Sequence, residues 1–259
     1  MRAIWSGSLG FGLINIPVKL YSGSKDRALK FRLLDKHDHC EISYKKVCRS
    51  DDKPVDQKDI VKGYEYEKGQ YVVLTPEDFK SANAKKTSTI EIVNFSKESD
   101  IDAKYIDKPY YLEPDKKSAK AYVLLRDALK SSKKVGIARY VIKDKEHIGM
   151  IRVDGKVLQL VQLRYEDEVI EPEDVKVPSE AAYTKKEMDM ALSLIDSITE
   201  EFDPSNFKDT YTDELKKMIE QKLKGAVPKK NKGEKRMQAT ESTDLFEMLK
   251  KSLDKEKVK

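Results

Sequence analysis

Two hydrophobic periods divide this chain. Up to about residue 177, apolar side chains come in short alternating runs bounded by turn residues; from residue 178 they recur every three or four positions. In residues 1–21, Ile4, Leu9, Phe11, Leu13, Ile16, Val18 and Leu20 are interleaved with Ser6, Gly7, Ser8, Gly10 and Gly12. Glycine costs a helix interior roughly 1 kcal/mol relative to Ala, so this stretch predicts two short strands joined near residues 7–12. Residues 22–53 lose the pattern: 9 basic and 6 acidic residues, two of the histidines and both cysteines interrupt pieces such as Lys30-Phe31-Arg32-Leu33. That texture predicts an extended excursion outside the core.

Strand texture returns at residues 63–74, and Thr75-Pro76-Glu77-Asp78 then reads as a helix start with Pro in the first turn. Residues 87–95 and 108–112 read as strands. Residues 118–131 predict a helix with Tyr122, Leu125 and Leu129 on one face. Three strands follow at 136–143, 147–153 and 156–165, the last two joined at Asp154-Gly155, which suggests a type I′ turn. Residues 171–178 form an acidic, proline-bounded connector. Beyond it, Tyr183, Met188, Met190, Ala191, Leu194, Ile195 and Ile198 define one amphipathic helix; Tyr211, Leu215, Met218, Ile219 and Leu223 define another over 209–223. Residues 225–240 read as a lysine-rich linker. A last amphipathic piece, 243–253, aligns Leu245, Phe246, Leu249 and Leu253; it is too short to be a stable helix alone in water and is expected to fold on a partner. No internal repeat is evident.

Charge changes the picture by its position. The chain of 259 residues has a formal net charge of +5, but residues 222–259 hold 12 Lys/Arg against 6 Asp/Glu, and the body is nearly balanced. A basic tail on a balanced body suggests a polyanionic partner, or simply a solvated tail. Two cysteines, no leader-like N-terminus and no apolar run near the ~20 residues of a membrane span give the expectation of a soluble protein of the reducing cytosol, without membrane association.

Enzymatic signals are poor. There is no phosphate-binding G-x-x-x-x-G-K-[ST] loop, and Gly7, Gly10 and Gly12 lack dinucleotide spacing. His147 reads as a surface side chain beside charged residues. Glu166-Asp167-Glu168 with Glu171, Glu173 and Asp174 could be imagined as a magnesium site, but acidic clusters after a strand are usually solvated turns and no nucleophile accompanies this one. His37, His39, Cys40 and Cys48 have zinc-ligand chemistry without the paired spacing of most structural zinc sites. Two free thiols, no metal and no cofactor are expected.

Three motifs in order, AIWSGSLGFGLINIPVKLY at 3–21, GYEYEKGQYVVL at 63–74 and DKPYYLEPDKK at 107–117, closely resemble the bacterial Ku proteins, the DNA-end-binding factors of non-homologous end joining. The likeness runs to about residue 225. It implies an α+β, mainly β fold: a Ku-type β-barrel core over 1–177, whose extended arm at about 22–62 closes a ring in the dimer. Dimerising C-terminal helices over 178–225 and a flexible basic tail over 226–259 complete it. Many of these relatives carry a C-x-x-C in the arm; here Cys48 is followed by Arg49-Ser50-Asp51-Asp52.

A ring that accepts any broken end must read the backbone, so the resemblance assigns duplex contact to Lys25, Arg27, Lys30, Arg32, Lys36, His37, Lys45, Lys46, Arg49 and Lys53, with His39 able to help. In the tail it assigns the same role to Lys229, Lys230, Lys232, Lys235 and Arg236. Leu194, Ile195, Ile198, Tyr211, Leu215, Met218 and Ile219 are assigned to the dimer, and Leu245, Phe246 and Leu249 to partner docking. The implied partners are double-stranded DNA ends, a second copy of the chain and a multidomain ATP-dependent DNA repair ligase, in the bacterial cytosol at the nucleoid, with no catalysis by the chain itself. The motifs at 63–74 and 108–114 are assigned to the barrel, their tyrosines (Tyr64, Tyr66, Tyr110, Tyr111) to packing rather than base stacking. Two other functions stay open: a non-specific architectural binder acting through its basic tail, and a metal-dependent nuclease using the acidic clusters.

Overall fold

The computed structural model describes residues 1–82, 88–143, 145–178, 183–225 and 245–256. The chain divides into two compact units, Met1–Asp174 and Val175–Lys259. In the first, seven strands form a closed barrel in the order β1 (Trp5–Phe11), β2 (Ile14–Ser22), β6 (Ile106–Pro114), β9 (Val157–Leu163), β8 (Lys145–Asp154), β7 (Lys134–Ile142) and β5 (Thr89–Lys97). All neighbours are antiparallel except β1 and β5, whose parallel pairing closes the cylinder with Ser8 opposite Thr89. Gly7 lies within β1, opposite Val18, rather than at its turn, and glycine is needed there because a Cβ would stand 2.2 Å from the Ser88 carbonyl oxygen.

The alternation read in the sequence points inward as expected. Ile16, Val18 and Leu20 of β2 are buried while the residues between them are exposed, and with Leu9, Ile90, Leu112, Tyr140, Ile151, Leu158 and Leu160 they fill the barrel. Helix α2 (Ala119–Ser132) adds Tyr122, Leu125 and Leu129 to that core. The Tyr122 hydroxyl donates to the Leu112 carbonyl at 2.7 Å and accepts from the Leu158 amide at 2.6 Å, so it bridges the paired residues of β6 and β9. A smaller cluster, Val135, Met150, Val161 and Leu163, is packed with Ile101, Tyr105, Ile137 and Ile148.

Two expectations are corrected here. The hairpin β3 (Lys62–Glu67) and β4 (Gln70–Leu74) forms its own two-stranded sheet outside the barrel. Only Gly155 in the β8–β9 turn has positive φ, at +58°, so this is not the type I′ turn, which needs two such residues. After β4, Thr75 and Asp78 cap helix α1 (Pro76–Ala82) reciprocally: the Thr75 amide donates to Asp78 at 2.8 Å and the Asp78 amide to Thr75 Oγ1 at 3.2 Å. The second unit contains α3 (Lys185–Ser197), α4 (Thr210–Leu223) and α5 (Leu245–Glu256). Thr184 and Glu187 cap α3 in the same reciprocal way, and Asp209 caps α4.

Candidate nucleic-acid interface

Between β2 and α1 the chain makes an excursion in which no residue from 22 to 74 is buried. Phe31, Leu33, Tyr44 and Val61 are all more than half exposed. Local order comes instead from backbone hydrogen bonds, and these repeat. In the first turn the Asp35 amide donates to the Cys40 carbonyl at 2.9 Å, the His39 amide to Asp35 O at 3.0 Å and the Ile42 amide to Leu33 O at 2.9 Å. Thirteen positions on, Cys48 donates to Lys53 O at 2.9 Å, Asp52 to Cys48 O at 2.9 Å and Val55 to Lys46 O at 2.9 Å. The bridges Leu34–Glu41 and Val47–Pro54 match, as do the positive φ values of His39 (58°) and Asp52 (53°). Asp38 accepts from the Cys40 amide at 3.0 Å, as Asp51 does from the Lys53 amide at 3.2 Å. The arm therefore contains a repeated turn, where the sequence reading found no repeat.

The repeat presents Lys36 and Arg49 at equivalent positions. Both are exposed, as are Lys25, Arg27, Lys30, His37 and Lys45, and none of these side chains has an ion pair or hydrogen bond among the described residues. Three other basic groups assigned to duplex contact are engaged. Arg32 pairs with Glu41 at 2.7 Å, Lys53 with Asp51 at 3.0 Å, and Lys46 Nζ donates to Gln57 at 2.7 Å. Lys229, Lys230, Lys232, Lys235 and Arg236 lie outside the described residues. Tyr64 and Tyr66 are exposed at 66 % and 54 %, so in the protomer they are not core packing, whereas Tyr110 is half-buried and donates to Gln162 at 3.4 Å.

Four of the residues weighed for catalysis or metal, Glu168, Glu171, His147 and Cys48, have structural engagements. Glu168 caps the Tyr165 amide at 3.0 Å and pairs with Lys145 at 3.0 Å, which together hold its carboxyl below the usual range. Glu171 pairs with Lys104 at 3.2 Å. His147 lies across the β7–β8 ladder from Tyr140, rings stacked at 5.4 Å; burial, then the Lys145 charge, lowers its pKa. Cys40 and Cys48 are both exposed; Cys48 Sγ lies 3.0 Å from Ser50 Oγ, and that hydrogen bond lowers the thiol pKa. Cys48 occupies the turn position of Asp35, not that of His37, His39 or Cys40. Among the described residues no group of three or more His, Cys, Asp or Glu is placed to hold a metal ion, and no helix is long and apolar enough to cross a membrane.

Residues 10–190 match the family described as the Ku70/Ku80 beta-barrel domain. The chain is 38 % identical over 255 residues to a protein of Opitutus terrae named non-homologous end joining protein Ku, an alignment covering 98 % of this chain and 92 % of the relative. This chain belongs to the Ku family. Proteins of the same name from Bacillus subtilis and Pseudomonas aeruginosa share 41 % and 35 % identity with it; the alignments cover 86 % and 97 % of this chain and 72 % and 88 % of those relatives.

Helices of the second unit of this Ku-family chain leave much apolar surface uncovered. Ile195, Ile198, Tyr211, Met218 and Ile219 are exposed, and Leu194 and Leu215 are half-buried. Helix α5 packs along α3, and the half-buried apolar residues of the pair are Met190, Ala191 and Leu194 on α3 and Leu249 and Leu253 on α5. The amphipathic segment expected to fold on a partner thus finds a surface within its own chain. Phe246 and Met248 remain exposed on it. The sequence contains the apolar spacing of α5, but nothing in that spacing chooses between a cis and a trans surface.

Proposed function

We propose that this protein binds the ends of double-stranded DNA, without sequence preference, as a homodimeric ring in non-homologous end joining. In that role it recruits a multidomain ATP-dependent DNA ligase at the bacterial nucleoid. The observation that carries the reading is the arm: a long exposed excursion from a closed Ku-family barrel, bearing Lys25, Arg27, Lys30, Lys36, Lys45 and Arg49 without acidic partners among the described residues. Unpaired lysines and arginines on a solvated backbone suit phosphates, which are the same at every sequence. The uncovered apolar residues of α3 and α4 suit a second copy, since burying them is worth ~25 cal/mol per Å².

A ring loads only over a free end and then slides without losing its electrostatic contacts. Competition at moderate salt between a linear duplex and the same sequence as a covalently closed circle tests this. Competition by the linear form alone is expected; equal competition by the circle would mean that the basic residues bind from outside and would exclude the ring.

A further inference from the structure

Carboxylates repel a polyanion, yet residues 22–53 of the arm hold six of them beside nine basic groups. Most are committed to the arm itself. Glu41 pairs with Arg32 at 2.7 Å, and four aspartates each accept a backbone amide two residues on. Asp26 accepts from Ala28 at 2.9 Å, Asp35 from His37 at 2.7 Å, Asp38 from Cys40 at 3.0 Å and Asp51 from Lys53 at 3.2 Å. With no residue of the arm buried, packing does not hold its shape, and a side-chain acceptor is the local substitute.

Within the repeated turn these acceptors have fixed stations. Asp38 and Asp51 correspond, and each reaches across a residue of positive φ, His39 at 58° and Asp52 at 53°. A left-handed corner is disfavoured at a residue other than glycine, so it persists where its flanks are tied together. At the first station of each turn the side chain reaches past the basic residue instead: Asp35 past Lys36 to the His37 amide, Cys48 past Arg49 to Ser50 Oγ at 3.0 Å. The Cys40 amide holds the Asp38 carboxyl below the ordinary range; the Lys53 ammonium, then the Lys53 amide, does the same for Asp51. The side chains of Lys36 and Arg49 are left without an ion pair or hydrogen bond among the described residues.

We infer that Asp38 and Asp51 are positioning residues for duplex binding: by closing their turns they set Lys36 and Arg49 at matching stations for two backbone phosphates. This rests on the reading of the protein as a duplex binder. Charge alone gives the opposite expectation. Removing two carboxylates, and freeing Lys53 from its 3.0 Å pair with Asp51, would strengthen the hold on a polyanion. On the inferred role, Asp38→Ala with Asp51→Ala weakens binding of a labelled linear duplex by about tenfold at moderate salt. It also flattens the slope of log K against log salt by up to about two, at about 0.9 per phosphate contact. Asp38→Asn with Asp51→Asn loses the same charges but keeps an oxygen for each amide, and binds at least as tightly as the wild type. In a Lys36→Gln, Arg49→Gln background the alanine changes cause no further loss.

Alanine variants that bind as tightly as the wild type or better overturn the inference. So do asparagine variants weakened as much as the alanine ones, or a further loss in the glutamine background. Should the double alanine variant fail to fold, Asp38→Ala against Asp38→Asn decides in the same way, with about one unit of slope between them. Failure of the wild-type protein to bind duplex at all is a different result: it overturns the functional reading on which the positioning role rests.

Discussion

Tyr122 joins a helix to two strands through one oxygen. Its ring belongs to the barrel core, and its hydroxyl completes the Leu112–Leu158 rung from the side. Tyr122→Phe keeps the ring and strips a buried carbonyl and a buried amide of that partner. A loss of about 1–3 kcal/mol is expected, read as a lower urea midpoint at unchanged slope; an unchanged midpoint would mean that the two strands close the rung without it. His147 gives a pH signature. Its pKa lies below the ordinary 6.5 because of burial and the Lys145 charge, so between the folded value and 6.5 the unfolded chain binds more protons than the folded one. Stability then falls as pH drops through that window and levels off below it. The stability of the wild type minus that of His147→Gln should decrease from pH 7.5 towards pH 5, and a constant difference would contradict the assignment. Sequence gave the identity of these residues but not their roles. Tyr122 was visible as one of three apolar positions on a helix face, whereas its hydroxyl partners belong to strands elsewhere in the sequence. His147 looked like a surface histidine because its neighbours in sequence are charged; Tyr140 reaches it only across the ladder.

Elements were legible wherever periodicity alone decides. The strands of the barrel, α2 and the amphipathic α3 and α4 all fall where alternation or three-and-four spacing places them. Alternation does not say which sheet a strand joins, so the hairpin at 63–74 was read into the barrel although it stands outside it. The repeated turn of the arm was hidden for a different reason. It is written in main-chain hydrogen bonds, and the two copies share little beyond Asp38 and Asp51, a basic residue at Lys36 and Arg49, and the apolar flanks Leu34, Ile42, Val47 and Val55. The α5 segment has a consequence of its own. With Leu249 and Leu253 half-buried on the α3 pair, the double change Leu249→Asp and Leu253→Asp should release the helix and uncover Met190 and Leu194. Increased binding of a hydrophobic dye and faster amide exchange along α3 are expected, with the barrel's exchange unchanged; unaltered exchange in α3 would show that α5 does not protect it.

At the scale of the whole molecule, core and excursion divide the labour. The barrel buries its apolar residues around one interior, and the arm carries charge without burying anything, so substitutions in the arm can change affinity without a large cost in stability. The same division explains why the family was legible in the motifs while the contact residues were not. The glycine and aromatic spacing of the motifs at 3–21 and 107–117 follows from strand packing in the barrel, whereas exposed lysines leave no pattern until their acidic partners are located. Barrel closure also has a consequence in time. Ser8 and Thr89, which meet at 3.1 Å across the closing pair, lie 81 positions apart in sequence. At the ~5–20 residues per second of protein synthesis, the β1 edge waits roughly 4–16 seconds for its proper neighbour while the whole arm is being made. An edge left open that long invites wrong pairing. Here it is lined by Gly7, Ser8 and Gly10, whose small side chains do little to fix the register of an incoming strand; the bare Gly7 also leaves room for the Ser88 carbonyl, to which the Ser8 amide donates at 2.8 Å.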